Sequence, residues 1–475
     1  MRNRTPIPSA MKRKPPGHLP TLLCPPLFLL QMLYRPLAFL VDASRKHDVV
    51  RLGWLGAPYY LVTEPELVRQ MLADPKRFQK GFMFQKLQMV LGKGLVTLDG
   101  KEWIDARRRV QQAFSRGRLG DQQQIVIRHT QDMLDRLRVD AQRGPVDLDA
   151  ITTELMLRVA LELLFGAAPD LIDLEETRRA VNVCNEYARY RMWSLVPEAW
   201  NTPRKRRFAE ALATLEAIVG RVIDQRRAEA RTLRNERCDV LSLLFEAGFD
   251  GVELRDHVMT MFIAGHETTA GSVAFLLGLL ARHGNVQDRL HDEASGLPAG
   301  AVPLDSVPWT EAVWKETLRL YPSVPMLDRM VTQDVQLGDY TVPAGANLIW
   351  SPYVMHRKYF VDAETFDPGR FLVGTKPASG CFIPFGEGPR ACIGKPLADM
   401  EGVTIAAMFA RDFRIEPADG ADLTVRPMIT LRPKNGFVAR LTPREPAVLR
   451  NTECGAGDAG LETARDNCSG AVAVI

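Results

Sequence analysis

Cys392 has the widest chemical options of any residue in this chain. It stands in the run Phe385-Gly386-Glu387-Gly388-Pro389-Arg390-Ala391-Cys392-Ile393-Gly394, where three glycines and a proline dictate a loop with special backbone geometry. From about Ile393 through Pro396, Leu397 and Ala398 to Phe409 the chain reads as a helix. A thiol at a helix N-terminus meets free N–H groups and the positive end of the helix dipole. That setting favours the thiolate, the form that binds a metal or attacks an electrophile. The plainer reading is a glycine turn holding an inert cysteine.

A second group lies in the apolar stretch from about Val252 to Leu280. Its centre is Ala264-Gly265-His266-Glu267-Thr268-Thr269. The small residues at 264 and 265 let a flat ligand approach the backbone. A Thr268 hydroxyl bonded to the Ala264 carbonyl would bend the helix and open a notch for water. Glu267 beside it places an acid next to an alcohol, a pairing suited to passing protons. His266-Glu267 also begins the zinc-protease pattern H-E-x-x-H, but position 270 is alanine, which rules that reading out.

Two further patterns carry charge. Glu316 and Arg319 are three apart on a predicted helix, and as an exposed pair they would contribute little. Trp314, Leu318 and Leu320 surround them, however, and Arg370 follows in Phe366-Asp367-Pro368-Gly369-Arg370-Phe371. A buried carboxylate held by two arginines would lock remote segments together. Trp103 and Arg107 are four apart and share one helix face. An indole N–H and a guanidinium are donor-only groups suited to a carboxylate.

Taken in this order, these motifs resemble the cytochrome P-450 family. Phe385, Gly388, Arg390, Cys392 and Gly394 fill all five fixed positions of its haem-binding signature. A chance match of five positions in a chain this long is on the order of one in ten thousand. The resemblance spans roughly residues 15–442. It implies heme b (iron protoporphyrin IX) with Cys392 as the axial thiolate. It also implies Trp103, Arg107, Ala264, Arg329, Phe385, Arg390 and Gly394 as cofactor-binding residues, with Trp103, Arg107, Arg329 and Arg390 toward the propionates. Glu267 and Thr268 would be the catalytic acid and alcohol, Thr268 holding a water near bound O2 and Glu267 connecting it to solvent. Glu316, Arg319 and Arg370 would form a structural clamp. The implied fold is mainly α with a smaller β region (α+β), a long central helix over the haem and the cysteine loop on the proximal side. The chain departs from the family in having Gly369 where a glutamate is usual. The run His356 to Phe366 is about two residues short and lacks the usual tryptophan, with Phe360 nearby. These changes are expected to alter stability or partner docking, not oxygen chemistry.

The elements that must position these groups follow from pattern. A basic, proline-rich arm covers 1–18, one haem domain covers 19–442, and a tail from 443, rich in Gly, Ala, Asn, Asp and Glu, is expected to be disordered. Pro20, Pro25, Pro26 and Pro36 interrupt the apolar stretch Leu19 to Val41. No run there reaches the roughly 20 apolar residues of a membrane span. A docked arm entering a first helix near Pro36–Lys46 is expected, with loose membrane contact as the alternative. Residues 49–63 read as a hairpin turning at Gly56-Ala57-Pro58, and Thr63 with Glu66 as a capping box. An irregular apolar segment at 78–98 and the connection Met192–Pro203 are two expected lids. Residues 122–249 read as mostly helical, with breaks at Gly144-Pro145, Ala167–Asp170 and the second lid. Strands are expected at 324–327, 334–350 and 423–441, with a turn at 427–430. The pocket candidates are Phe84, Leu87, Trp193, Phe262, Val324, Met326, Met428 and Ile429. They are apolar and suit a lipophilic terpenoid, fatty acid or polyketide-like substrate.

A net charge of +4 favours neither nucleic acid nor membrane, and no nucleic-acid partner is expected. The seven cysteines are scattered and form no C-x-x-C pair. This excludes a disulfide framework and a zinc ribbon, and points to a reducing, cytoplasmic compartment. No G-x-G-x-x-G opens a strand–helix unit, so no flavin or nicotinamide domain is built in. Two electrons from NAD(P)H would arrive through a separate ferredoxin and ferredoxin reductase. Arg107, Arg108, Arg109 and Lys395 are the expected docking face for an acidic donor. The expected activity is a monooxygenase reaction, hydroxylation or epoxidation, by a monomer. The rivals are a haem-thiolate peroxygenase or isomerase needing no reductase, and a non-enzymatic haem sensor.

Overall fold

The structure is a computed structural model that describes residues 14–54, 56–114, 119–166, 172–229, 239–298, 300–372 and 380–444. Most of the expected arm and tail, and the expected break at Ala167–Asp170, lie outside the described residues. Three short helices come first: α1 (Leu19–Leu23), α2 (Pro25–Tyr34) and α3 (Pro36–Ser44). Each has proline in its first two positions, where the fixed φ suits a helix and the missing N–H is not needed. The prolines therefore start helices instead of breaking them, and α1 and α2 precede the helix expected at Pro36.

Strands β1 (Val49–Trp54) and β2 (Pro58–Val62) form the expected hairpin. Helix α4 (Pro65–Ala73) follows, but Thr63 does not cap it. Pro65 takes the first helical position, which makes Glu64 the cap; its carboxylate accepts from the Leu67 N–H at 2.6 Å. Between 78 and 98 the structure has β3 (Phe78–Lys80) and helix α5 (Phe82–Leu91), not an irregular segment. Gly81 at the N-cap of α5 has no side chain to offer. Asp328 supplies the cap from 245 residues away, accepting from the Met83 N–H at 3.1 Å.

The middle of the chain is helical: α6 (Gly100–Val110), α7 (Leu119–Asp140), α8 (Leu148–Phe165), α9 (Leu174–Trp193), α10 (Pro203–Glu229) and α11 (Val240–Glu246), with a short strand β4 (Val146–Asp147) before α8. The second expected lid is thus shorter, residues 194–202. Helix α12 (Gly251–Arg282) runs through the core, followed by α13 (Gly284–Ser295) and α14 (Pro308–Leu320). Next come β5 (Leu327–Val331), β6 (Val335–Leu337), β7 (Tyr340–Val342), β8 (Asn347–Trp350) and α15 (Pro352–Lys358). The C-terminal part holds α16 (Lys395–Asp412), β9 (Phe413–Pro417), β10 (Val425–Pro427), β11 (Leu431–Pro433) and β12 (Val438–Pro443).

The main sheet has the order β1-β2-β8-β5-β3, with β2 and β8 parallel and the other pairs antiparallel. A second sheet joins β4, β12 and β9, and two hairpins pair β6 with β7 and β10 with β11. The architecture is mainly α with a smaller β region, as expected. Among the described residues α12 alone is long and apolar enough to cross a membrane, and most of it is buried in the core; α2 and α3 meet that composition only as a pair bent by 117°.

Candidate active site

Beyond its first turn, helix α12 is buried except at one place. Between Asp256 and Ala281 every residue is buried but Ala264, Gly265 and Thr268. A gap in the packing therefore lies against these three side chains. The Thr268 hydroxyl donates to the Ala264 carbonyl at 2.7 Å. That bond competes with the helical one, which is the condition for the notch expected from the sequence, and the helix runs unbroken through it.

Glu267 does not stand free beside Thr268. It is 2% exposed. Arg432 on β11 grips it with Nη2 to Oε2 at 2.8 Å and Nε to Oε1 at 3.1 Å, and the Thr430 hydroxyl donates to Oε1 at 3.1 Å. No hydrogen bond joins Glu267 to Thr268 among the described residues. Burial alone would push the Glu267 carboxyl up; the Arg432 charge and its hydrogen bonds outweigh this and hold it below the ordinary carboxylate range. The hydrogen bonds of Glu267 thus go to Arg432 and Thr430, not to Thr268. A second buried acid, Glu401 on α16, touches Thr269, and burial pushes it up to about 8.

The cysteine loop is set by its backbone. The Cys392 N–H donates to the Phe385 carbonyl at 2.9 Å, and the Ala391 N–H to Gly388 at 3.0 Å. Gly388 has φ +74°, and a side chain there would fall 2.7 Å from the Leu72 carbonyl, so the end of α4 packs on the loop. The Cys392 side chain is exposed, while Gly394 caps α16, two residues later than the expected helix start. Burial pushes the thiol up, more than the Gly394 N–H and the Arg107 charge pull it down. The helix end alone does not produce a thiolate here; a coordinated metal would.

Beside the loop lies a cluster of cations. Trp103 and Arg107 share a face of α6, Arg329 sits in mid-strand on β5, and Arg390 belongs to the cysteine loop. Lys80, at the end of β3, joins them, and no motif in the sequence marks it. Its ammonium donates to the carbonyls of Leu95 at 3.0 Å and Leu98 at 2.5 Å, and lies 5.9 Å from the Trp103 ring. Burial first, then Arg390, drops Lys80 to about 6, and burial drops Arg329 to about 10. Asp99 pairs with Arg390. Arg107 has no ion pair among the described residues, Arg329 bonds only the Asp328 carbonyl at 2.8 Å, and the Arg390 Nε is buried with no partner. Three arginines and a lysine whose charge burial disfavours share one ion-paired carboxylate, so the cluster calls for anionic groups, which would also restore the charge on Lys80. A surface cleft of about 500 Å³ lined by Trp103, Arg107 and Arg390 lies on one side of the cluster, and Lys80 lines a separate one of about 260 Å³ with Phe84 and Asp99. Two haem propionates fit this charge, the gap at α12 fits a flat ring, and Cys392 offers the axial sulfur.

On α14, Glu316 and Arg319 are both fully buried. Arg319 donates through Nε and Nη2 to the two Glu316 oxygens at 2.6 and 2.8 Å, and through Nη1 and Nη2 to the Ala363 and Thr365 carbonyls at 2.6 and 3.0 Å. The Arg370 Nε is 3.5 Å from Glu316, an ion-pair distance without a hydrogen bond; its other nitrogens donate to Val361 and Asp362. His356 also belongs here, although no short spacing in the sequence links it to the pair. Its Nδ1 bonds the Arg319 carbonyl at 3.0 Å and its Nε2 accepts from the Ile383 N–H at 3.1 Å, tying the clamp to the start of the cysteine loop.

Residues 15–440 match the family model for cytochrome P-450. This chain is a cytochrome P-450. It is 32% identical to cyclooctat-9-en-7-ol 5-monooxygenase of Streptomyces melanosporofaciens, a match covering 89% of this chain and 96% of the relative. Pentalenene oxygenase of Streptomyces avermitilis is 29% identical, over 88% and 95% of the two chains. The crystal structure of CYP175A1 from Thermus thermophillus aligns with a TM-score of 0.74 at 25% identity, covering 91% of this chain and all of that one. The protein is a haem-thiolate monooxygenase by family.

The pocket candidates of this cytochrome P-450 divide in two. Leu87, Val324, Met326 and Ile429 are half-buried, and three of them edge the cluster that contains Met83, Ile349 and Val354. Trp193, by contrast, is a core residue: it packs against Phe28 and Tyr59 with ring centroids 5.8 and 5.9 Å away. Phe262 is also core, against Phe165 and His266, and Met428 is buried. Phe84 lies by the cations, 5.4 Å from the Arg329 guanidinium. The expected basic docking face loses Arg109, which donates to the Ala247 carbonyl and stacks on Phe249 at 3.4 Å.

Proposed function

We propose that the enzyme inserts one oxygen atom into a lipophilic terpenoid-like hydrocarbon, by hydroxylation or epoxidation. The observation that carries this reading is the gap along the buried part of α12, at Ala264, Gly265 and Thr268; the pocket candidates left half-buried, Leu87, Val324, Met326 and Ile429, are all apolar. Relatives named for cyclooctat-9-en-7-ol and pentalenene agree with such a substrate. Heme b, when bound to Cys392, supplies the activation of O2. The chain's own residues do the rest. Lys80, Arg107, Arg329 and Arg390 hold the propionates. Leu87, Val324, Met326 and Ile429 exclude water and orient the substrate. Thr268 holds a water in the notch and passes a proton from it, with Glu267 as the acid behind it. Electrons come from NAD(P)H through a ferredoxin and its reductase, docking near Arg107, Arg108 and Lys395. A monomer in the cytoplasm fits this scheme.

The reduced, carbon-monoxide-bound absorption spectrum tests the centre of the proposal. The haem-loaded wild type should give the red-shifted Soret band of thiolate ligation, and Cys392→His should lose it. Absence of the band from fully loaded wild type overturns the assignment of Cys392. One observation favours a peroxide-driven reading: Glu267 is bonded to Arg432 instead of Thr268. Product formed with hydrogen peroxide alone, and none with NAD(P)H plus ferredoxin and reductase, would decide for it.

A further inference from the structure

The apolar cluster edged by Leu87, Met326 and Ile429 holds two polar atoms with nothing to bond. The first belongs to Asp328 on β5, which has no exposed surface. Its Oδ2 accepts from the Met83 N–H at 3.1 Å, and its Oδ1 is buried with no hydrogen-bond partner. The second is the Nε1–H of Trp193 at the end of α9, a residue 2% exposed. A buried indole N–H ordinarily finds a partner. Tyr59 on β2 lies between the two: its ring centroid is 5.9 Å from that of Trp193, and burial, then the Asp328 charge, pushes its phenol up.

The backbone ties Asp328 to the pocket candidates. It stands opposite Ile349 of β8, a member of the same cluster. Met326, two residues earlier on the way into β5, falls on the same face by the period of two. Gly81 makes room for the carboxylate, since a side chain there would fall 2.4 Å from Oδ2. Burial pushes Asp328 up to about 6, against the N–H groups of Met83 and Phe82 and the Arg329 charge.

We propose that Asp328 anchors a hydroxyl of the substrate: Oδ1 accepts from it and the Trp193 Nε1–H donates to it, so the substrate arrives already carrying an alcohol. The inference deepens the proposed function and rests on Leu87, Met326 and Ile429 lining the substrate pocket.

One acceptor and one donor select among ligand groups. A hydroxyl donates and accepts, and satisfies both. A ketone or an ether accepts only and leaves the carboxylate oxygen unpaired. An ammonium donates only and leaves the indole unpaired. A hydrocarbon satisfies neither, and a buried polar atom left unpaired is costly. Because Oδ2 is held on the first turn of α5, Oδ1 cannot turn away without releasing that helix. A reaction that puts a hydroxyl on the terpenoid-like skeleton must therefore come before this one, and the product here carries two oxygens.

The test titrates the haem-loaded full chain with three probes of one carbon skeleton: nootkatol, an alcohol; nootkatone, its ketone; and valencene, the hydrocarbon. The shift of the Soret band gives each Kd. Wild type should bind nootkatol at least about tenfold more tightly than the other two, the return of a hydrogen bond to a charged group. Asp328→Asn keeps an oxygen for the Met83 N–H and replaces Oδ1 by an NH2. It should lose the preference for nootkatol over nootkatone. Trp193→Phe leaves the cap of α5 untouched and should weaken nootkatol by about fivefold. The wild-type preference in Asp328→Asn, or the wild-type nootkatol affinity in Trp193→Phe, overturns the anchor and leaves Oδ1 to a buried water. A wild type that binds valencene as tightly as nootkatol overturns the anchor but not the pocket. No Soret shift with any of the three overturns the pocket reading and the anchor with it.

Discussion

Two buried glutamate–arginine pairs sit in this protein and end on different partners. Glu316 and Arg319 are three residues apart on one helix and both have no exposed surface. Every remaining Arg319 donor ends on a backbone carbonyl, and a backbone N–H from Asp367 closes on Glu316 at 3.0 Å. The pair is a dead end for protons. Glu267 and Arg432 lie 165 residues apart, and their spare donor reaches a carboxylate open to water. Burying a charge pair costs desolvation in both places. In the first, backbone groups fix the geometry under the cysteine loop; in the second, Arg432 holds two carboxylates, Glu267 and Asp149, at once. What separates structure from chemistry is where the last donor goes, not the pair itself.

The sharpest way to break this comparison is to remove one partner from the dead end. Arg319→Ala leaves Glu316 buried without its cation, at a cost of roughly 3–5 kcal/mol. That is a large part of the stability of an ordinary domain. The variant should yield almost no haem-loaded protein, as measured by the ratio of Soret to protein absorbance. A yield within twofold of wild type would show that the clamp is not what holds the cysteine loop in place.

The two regions should also titrate in different windows. His356 is buried beside the clamp and its pKa falls to about 3, through burial first and the Arg319 and Arg357 charges after it. A folded state that prefers neutral histidine has that stability in full above about pH 6.5 and loses it as pH falls toward 3, by about 1.4 kcal/mol per unit. Glu267, held below its ordinary value, keeps its contribution above about pH 4.5 and loses it only below that. The melting temperature of wild type should therefore fall relative to that of His356→Gln as pH drops below about 6.5; Glu401, raised to about 8, gives both proteins the same opposing slope above about pH 4.5. An unchanged profile in that variant would remove His356 from the account.

The smallest effect is expected at Arg370. It is 3.5 Å from Glu316 with no hydrogen bond, and its firm bonds go to carbonyls. Arg370→Lys should cost about 1 kcal/mol or less, read as a small shift in urea midpoint. A loss as large as that of Arg319→Ala would make the clamp a true three-residue unit.

What depends on short spacing is legible in the sequence. The cysteine loop, the Thr268–Ala264 bond and the Glu316–Arg319 pair are all set within about a helical turn or one loop. Hidden are the long-range partners. Lys80 looks like any strand-end lysine until Asp99, Arg329 and Arg390 surround it. Arg432 looks like a surface residue of a hairpin until β11 packs on α12. Helix α5 reads as an irregular segment because its cap, Asp328, comes from another strand. The N-terminal prolines read as breakers because their position in the first turn of each helix depends on where the helix begins.

Asp328 has a consequence for how this enzyme can change. It and Arg329 are neighbours on β5, and neighbours on a strand point to opposite faces. One holds the first turn of α5; the other belongs to the cation cluster. A one-residue insertion or deletion in β5 would swap the two and cost both at once. Length variation is therefore closed in this strand, and a new substrate range has to be reached by exchanging side chains on α5 or by lengthening the connection at 194–202, where no such double duty exists.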